Sequence, residues 1–295
     1  MGCKVLENEK MSKHTSFKIG GPADLFIYIN SVQSLKEILK FIKSENLPFY
    51  ILGNGTNLLV ADDGFRGVVL NLQKSEKVLK ITNDNIIECS AGIQLAKACV
   101  FAMEHGLSGL EFAWGIPGTC GGAVYMNAGA YGNDISDVII EATHMTPEGE
   151  TITLKKDELN FGYRTSYYKD KNLIITSMKL KLTPSNKPDV KAKMYENILK
   201  RKSKQPLNHP NAGSTFKRPG NGYYAGTLIQ DSGLKGTAVG GAMVSTKHAG
   251  FIVNTGKATA NDVVNLIKLV KETVQKASGI LLECEIKTLG NINLK

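Results

Sequence analysis

No stretch of the 295 residues approaches the run of roughly 20 apolar side chains needed to cross a bilayer, which excludes a membrane-spanning helix. Nor does the chain open on a hydrophobic signal core: MGCKVLENEKMSK is polar, so a cytoplasmic location is expected. Gly2 and Cys3 make no lipidation signal, because Leu6 stands where a myristoylation motif needs Ser or Thr and no apolar run precedes the cysteine. The five cysteines (Cys3, Cys89, Cys99, Cys120, Cys284) are scattered and never form CxxC, which points to a reducing compartment and away from zinc. The five histidines are equally dispersed, so no metal is expected. Acidic residues are the scarcer charge, 27 against 36 basic, and the resulting +9 favours anionic partners such as nucleotides, phosphates or nucleic acid. The densest basic run, Lys187 to Lys204, carries Val190, Met194 and Ile198 at helical spacing and lacks stacking aromatics, so it reads as a solvated helix face and no nucleic-acid partner is expected.

What the chain has in quantity is glycine, 30 residues, concentrated in GLSGLEFAWGIPGTCGGAVYMNAGAYG from Gly106 to Gly132. Gly destabilises helix and strand interiors, so this density predicts neither element but a backbone that turns tightly or approaches something closely. Interleaved Leu110, Phe112, Trp114, Ile116, Val124 and Met126 predict a packed segment, and Pro117 within Gly115-Ile116-Pro117-Gly118-Thr119 stiffens it. A ligand-cradling loop and a purely structural glycine corner both fit.

Periodicity predicts helices at Ser31–Asn46, Gln94–His105 (closed by Gly106) and Ala260–Ala277 (ended by Gly279). Strands are predicted at PFYILG, LLVAD, GVVLNL, Val78 to Ser90, Val138–Met145, Thr151–Leu154, Leu173–Leu182 and the final ILLECEIKTL. Between the first two strands lies Gly53-Asn54-Gly55-Thr56-Asn57. Gly53-x-Gly55 begins like a dinucleotide fingerprint, but Leu58 takes the third glycine's place and no helix follows; a Walker A loop is absent too. The residues suit either an anion-binding nest of backbone N–H groups or a hairpin turn. The length allows two or three domains, and the two prolines of Thr183–Pro188 mark the best boundary.

Five motifs in order, GNGTNLLV, GIPGTCGGAVYMNAGAYG, FGYRTSYYK, NAGSTFKRP and TKHAGFIVN, resemble the UDP-N-acetylenolpyruvoylglucosamine reductase family, also called UDP-N-acetylmuramate dehydrogenases. The resemblance runs from about His14 to Gly290, and the N-terminal two thirds also resemble the vanillyl-alcohol oxidase and p-cresol methylhydroxylase superfamily of flavoproteins. It implies an α+β fold: FAD-binding subdomains at 1–75 and 76–186, and a C-terminal substrate-binding domain at 187–295. It also implies noncovalent FAD, NADPH as electron donor, and reduction of the enolpyruvyl ether of UDP-N-acetylglucosamine-enolpyruvate to UDP-N-acetylmuramate in peptidoglycan precursor synthesis. A monomer without membrane insertion is expected. A flavin-dependent alcohol or sugar oxidase of the same superfamily is the alternative.

By the resemblance, cofactor contacts fall on Gly53, Asn54, Gly55, Thr56, Asn57, Gly115, Ile116, Pro117, Gly118, Thr119, Gly121, Gly122, Ala123, Asn127 and Gly129. Cys120 is expected to be a buried, inert thiol. Arg164 is implied as the guanidinium that holds the substrate carboxylate, Ser214 as the proton donor and Glu285 as the acid assisting it. By strand alternation alone, Glu285 would share a solvent face with Glu283 and Lys287. Tyr163, Lys217 and Arg218 are implied as further substrate contacts. Lys287 stands where many members have Arg and Arg218 where many have Asn, and the chain lacks room for a tyrosine-bearing insertion, so it resembles the shorter, second type with a more open site.

Overall fold

The computed structural model describes residues 2–83 and 85–294. The chain forms two compact units, unit 1 from Met1–Leu6, Leu25–Asn54 and Gly67–Arg201, and unit 2 from Glu7–Asp24, Gly55–Arg66 and Lys202–Lys295. Helices and sheets are mixed in an α+β arrangement.

In unit 1, α1 (Val32–Ser44) begins where Ser31 and Ser34 cap each other's backbone N–H groups. Its apolar stripe, Leu35, Ile38, Leu39 and Ile42, is buried with Ile27, Ile29, Val68 and Leu70. Strand Phe49–Leu52 runs parallel to Val68–Asn71 and delivers the chain to Gly53. A five-stranded antiparallel sheet follows, in the order Thr151–Lys155, Ile139–Met145, Ile174–Lys181, Ile86–Ser90, Leu79–Ile81. On it pack α2 (Leu95–Glu104), ended by Gly106 at φ +64°, and α3 (Cys120–Met126).

Helix α3 corrects the expectation that the glycine-rich segment holds no regular element. Gly121 sits in its first turn because a β-carbon there would stand 2.8 Å from the Ala91 β-carbon, so close packing on the neighbouring backbone outweighs helix propensity. The basic helix α4 (Lys187–Lys204) begins within the expected Thr183–Pro188 boundary, yet its residues to Arg201 belong to unit 1, because Val190 and Met194 are buried in that unit's core.

Unit 2 contains α5 (Ala225–Asp231), α6 (Ala260–Ser278) and an antiparallel sheet of Ala238–Val239, Ala242–Val244 and Ile252–Asn254. Val263, Leu266, Ile267, Val270 and Val274 make the buried stripe of α6. The helix starts on a Thr259–Asp262 capping box and stops at Gly279 in the left-handed region. Asp62 adds a second cap, accepting from the N–H groups of Ala260 at 2.8 Å and Asn261 at 3.1 Å. The final strand is shorter than ILLECEIKTL suggested: only Lys287–Leu289 is strand, parallel to Leu58–Val60. The alternation of residues 280–286 therefore does not set a strand face; Cys284 makes an isolated antiparallel bridge to Phe216, and Glu285 is half-buried while Glu283 is exposed.

Candidate active site

The two glycine segments expected to flank a ligand meet in unit 1. Asn54 Nδ2 donates to the Pro117 carbonyl at 3.0 Å, and Gln73 Nε2 donates to Asn54 Oδ1 at 2.8 Å and to the Gly53 carbonyl at 3.3 Å. Gly53 lies so near Thr119 that an added β-carbon would come within 2.8 Å of Thr119 Oγ1. On the other side of the turn, Gly55 at φ +61° admits no β-carbon, which would fall 2.1 Å from the His14 carbonyl oxygen in unit 2.

Among the described residues, the successive backbone N–H groups of Gly53, Asn54, Gly55 and Thr56 find no acceptor. Gly118 is open: among the described residues, its chain neighbours aside, no atom lies within 4 Å of an added β-carbon. Beside this loop the Arg201 side chain lies over Gly115, its Cδ 2.9 Å from an added β-carbon, and it forms neither ion pair nor hydrogen bond with the described residues. Unmatched donors, an open glycine and an uncompensated guanidinium fit a bound diphosphate, as FAD requires. Sequence reasoning missed Arg201 because α4 reads as a solvated face; its place after the apolar positions Val190, Met194 and Ile198 is too general a signal.

Helix α3 itself is not an anion site. Its cap Thr119 accepts from Gly122 N at 3.2 Å, while the N–H groups of Cys120, Gly121 and Ala123 donate to Ile93, Ala91 and Thr119 carbonyls. Gly121, Gly122 and Ala123 thus offer close approach and not free donors. Cys120 is fully buried, and its hydrogen bond with Cys89 together with burial pushes its thiol well above the ordinary range, so no thiolate is available to attach a flavin.

Arg164 sits at the tip of a two-residue hairpin. Gly162 and Thr165 exchange backbone hydrogen bonds at 3.2 Å in both directions, leaving Tyr163 and Arg164 between them. Arg164 adopts φ +55°, a conformation that favours Gly or Asn and costs a non-glycine residue of order 1 kcal/mol. Its guanidinium lies 5.1 Å from the Tyr163 ring centroid and donates to the Gly129 carbonyl at 3.3 Å. Asn127, expected beside the cofactor, has its buried amide engaged instead, donating to Gly162 O and accepting from Ser136 N.

Unit 2 brings Ser214 and Glu285 together although they are far apart in sequence. Glu285 N–H donates to the Thr215 carbonyl at 2.8 Å, and Lys217 N–H donates to Glu283 O at 2.9 Å, so the two segments run antiparallel with Phe216 opposite Cys284. Thr215 is fixed by its Oγ1, which accepts from Ile252 N at 3.1 Å, whereas the half-buried Ser214 hydroxyl makes no hydrogen bond among the described residues. The end of the glycine turn joins this pair: Asn57 Nδ2 donates to Glu285 O, Lys287 N–H donates to Asn57 O, and the Thr56 carbonyl lies 3.9 Å from an added Gly213 β-carbon. Lys217 Nζ is paired with Glu283 at 2.8 Å, and the Arg218 guanidinium stands 4.7 Å from the Tyr224 ring centroid.

The α+β chain is an FAD-binding protein: a family model described as an FAD binding domain matches residues 23–155. A second model, the C-terminal domain of UDP-N-acetylenolpyruvoylglucosamine reductase, matches residues 205–289. The reductase of that name from Agathobacter rectalis is 48% identical, covering 97% of this chain and 94% of the relative. That from Syntrophomonas wolfei is 44% identical, covering 97% and 95%. The crystal structure of the Thermus caldophilus enzyme superposes with a TM-score of 0.82 at 33% identity, covering 98% of this chain and all of that one. The chain belongs to the UDP-N-acetylenolpyruvoylglucosamine reductase family.

Proposed function

We infer that this chain is an NADPH-dependent flavoprotein that reduces the enolpyruvyl ether of UDP-N-acetylglucosamine-enolpyruvate to UDP-N-acetylmuramate, a step of peptidoglycan precursor synthesis. The observation that carries the residue assignment is the junction in unit 2, where the Gly55–Asn57 end of the cofactor turn is bonded to the Glu285 segment and adjoins Gly213–Ser214. Bound FAD would supply the hydride chemistry, with NADPH as the source and the methylene carbon of the substrate as the acceptor.

The chain's own residues then manage charge and proton. Hydride addition at the methylene carbon leaves an electron pair on the neighbouring carbon, delocalised into its carboxylate. Arg164 holds that carboxylate with paired charge-assisted hydrogen bonds that strengthen as charge develops. The Ser214 hydroxyl, without an internal partner among the described residues, delivers the proton to the carbon, and Glu285 assists at the same intermediate. Gly53, Asn54, Gly55 and Thr56 hold the cofactor's diphosphate through backbone donors, with Arg201 adding positive charge. Tyr163, Lys217 and Arg218 are proposed to line the substrate's path. Action as a monomer is proposed; five unpaired cysteines support work in the reducing cytoplasm.

Anaerobic mixing of the yellow holoprotein with NADPH tests this reading: the flavin band bleaches, and UDP-N-acetylglucosamine-enolpyruvate restores it with formation of UDP-N-acetylmuramate. A protein without flavin, or one reoxidised only by oxygen after reduction by an alcohol, would overturn it.

A further inference from the structure

Arg164 is held away from relaxed backbone geometry, and something must hold it there. Its hairpin is gripped on both sides by one short helix end. Ahead of the tip, the Gly162 carbonyl accepts from Asn127 Nδ2 at 3.1 Å; behind it, the buried Ser166 hydroxyl donates to the Tyr125 carbonyl at 2.8 Å. Asn127 is the C-cap of α3, in the left-handed region at φ +42°, and is 2% exposed. Its other amide atom accepts from Ser136 N at 3.0 Å, so the side chain's orientation is fixed at both ends. Two residues on, the Gly129 carbonyl takes the Arg164 guanidinium. Gly129 has no room for a side chain, since a β-carbon would fall 2.6 Å from that of Asp134. The segment from Asn127 to Gly129 therefore touches both the backbone and the head group of Arg164.

We propose that Asn127 is a positioning residue for Arg164: its amide sets the hairpin from which the guanidinium meets the substrate carboxylate, and its effect on the reaction passes through Arg164. The proposal rests on the reading of Arg164 as the carboxylate-binding group. Asn127 is 2% exposed and both its amide oxygen and its amide nitrogen are bonded to backbone, so on this reading its loss should leave the flavin and the NADPH half-reaction untouched.

The experiment is a double-mutant cycle on the holoprotein with Asn127→Gly, which keeps the left-handed backbone and removes the amide, and Arg164→Ala. Asn127→Asp is the second variant, retaining the acceptor for Ser136 N while turning the donor to Gly162 O into a repelling oxygen. Flavin content, thermal unfolding, both half-reactions and calorimetric binding of UDP-N-acetylglucosamine-enolpyruvate are measured. Both Asn127 variants are expected to retain flavin and reduction by NADPH within twofold, and to weaken substrate binding and slow the enol-ether half-reaction tenfold or more. In the Arg164→Ala background Asn127→Gly should add less than twofold. Multiplicative effects of the two substitutions, loss of flavin in both Asn127 variants, or equal impairment of both half-reactions would overturn the proposal. Should Arg164→Ala itself bind and reduce substrate normally, the reading of Arg164 fails, and the proposal falls with it by a separate and recognisable result.

Discussion

Gly53 and Thr119 are packed so closely that the hydroxyl oxygen which would stand 2.8 Å from a Gly53 β-carbon is also the oxygen that caps α3 through Gly122 N. Gly53→Ala must displace that hydroxyl, loosening the cap at a cost of about 1 kcal/mol and disturbing the junction of the two glycine loops proposed to hold the cofactor. Both thermal stability and FAD affinity should fall. Gly118→Ala separates the two effects, because among the described residues nothing beyond its chain neighbours lies within 4 Å of its new methyl group. That variant should unfold at the wild-type temperature as apoprotein yet bind FAD more weakly, as read by quenching of flavin fluorescence on titration. Unchanged FAD affinity in both variants would remove these loops from the cofactor site.

Ser214 and Thr215 are neighbours whose hydroxyls are bonded differently. Thr215 Oγ1 anchors Ile252 N, whereas the Ser214 hydroxyl is without an internal bond among the described residues. Ser214→Ala should therefore fold normally and allow NADPH to reduce the flavin at the wild-type rate, while the enol-ether half-reaction slows by about 10²- to 10⁴-fold, the range of a lost general acid. Stopped-flow measurement of the two half-reactions checks this; equal slowing of both would refute the proton-donor role.

Local signals were legible in the sequence where they were local in space. The Ser31 cap, the stripe of α1, Gly106 and Gly279 mark helix ends within a few residues of where they fall. Helix α3 was hidden because Gly121 answers to Ala91, on another element, and single-segment propensity cannot contain that demand. The strand expected through Glu285 was an alternation without a full-length partner: among the described residues its end, Lys287–Leu289, pairs with Leu58–Val60, and ahead of that Cys284 alone bridges to Phe216. Ser214, Arg164 and Glu285 could be named by resemblance, but the backbone bond from Glu285 to Thr215, and the side-chain bond from Asn127 Nδ2 to the Gly162 carbonyl, join residues whose sequence separation carries no pattern.

Asp62 stabilises α6 from outside the helix, its two carboxylate oxygens accepting from the first two N–H groups, Ala260 and Asn261. These groups have no intrahelical acceptor, and a negative charge there also faces the positive end of the helix dipole. Asp62→Ala should destabilise unit 2 by about 1–2 kcal/mol. Asp62→Asn, which keeps one acceptor, should recover part of the loss. Denaturant unfolding of the three proteins checks the order; equal midpoints would mean that the Thr259–Asp262 box alone caps the helix.

His248 makes the pH dependence of stability predictable. Its Nδ1 accepts from Gly250 N at 3.1 Å, which requires that nitrogen to be unprotonated, and Gly226 and Gly250 leave little space around Cε1. Burial lowers the pKa of the imidazole, and Lys235 and Lys204 push the same way. The unfolded chain therefore takes up the proton first, as pH falls below about 6.5, so the stabilisation present above that value is lost as pH falls toward the depressed folded value. The slope from this one site cannot exceed about 1.4 kcal/mol per pH unit. His144, also lowered by burial and by Lys171, adds a second contribution in unit 1. His248→Asn keeps an acceptor for Gly250 and removes the titrating group. Unfolding free energy measured across this acidic range should therefore fall less steeply in the variant, with a remainder from His144, and superimposable profiles would show that His248 is not held neutral by the fold.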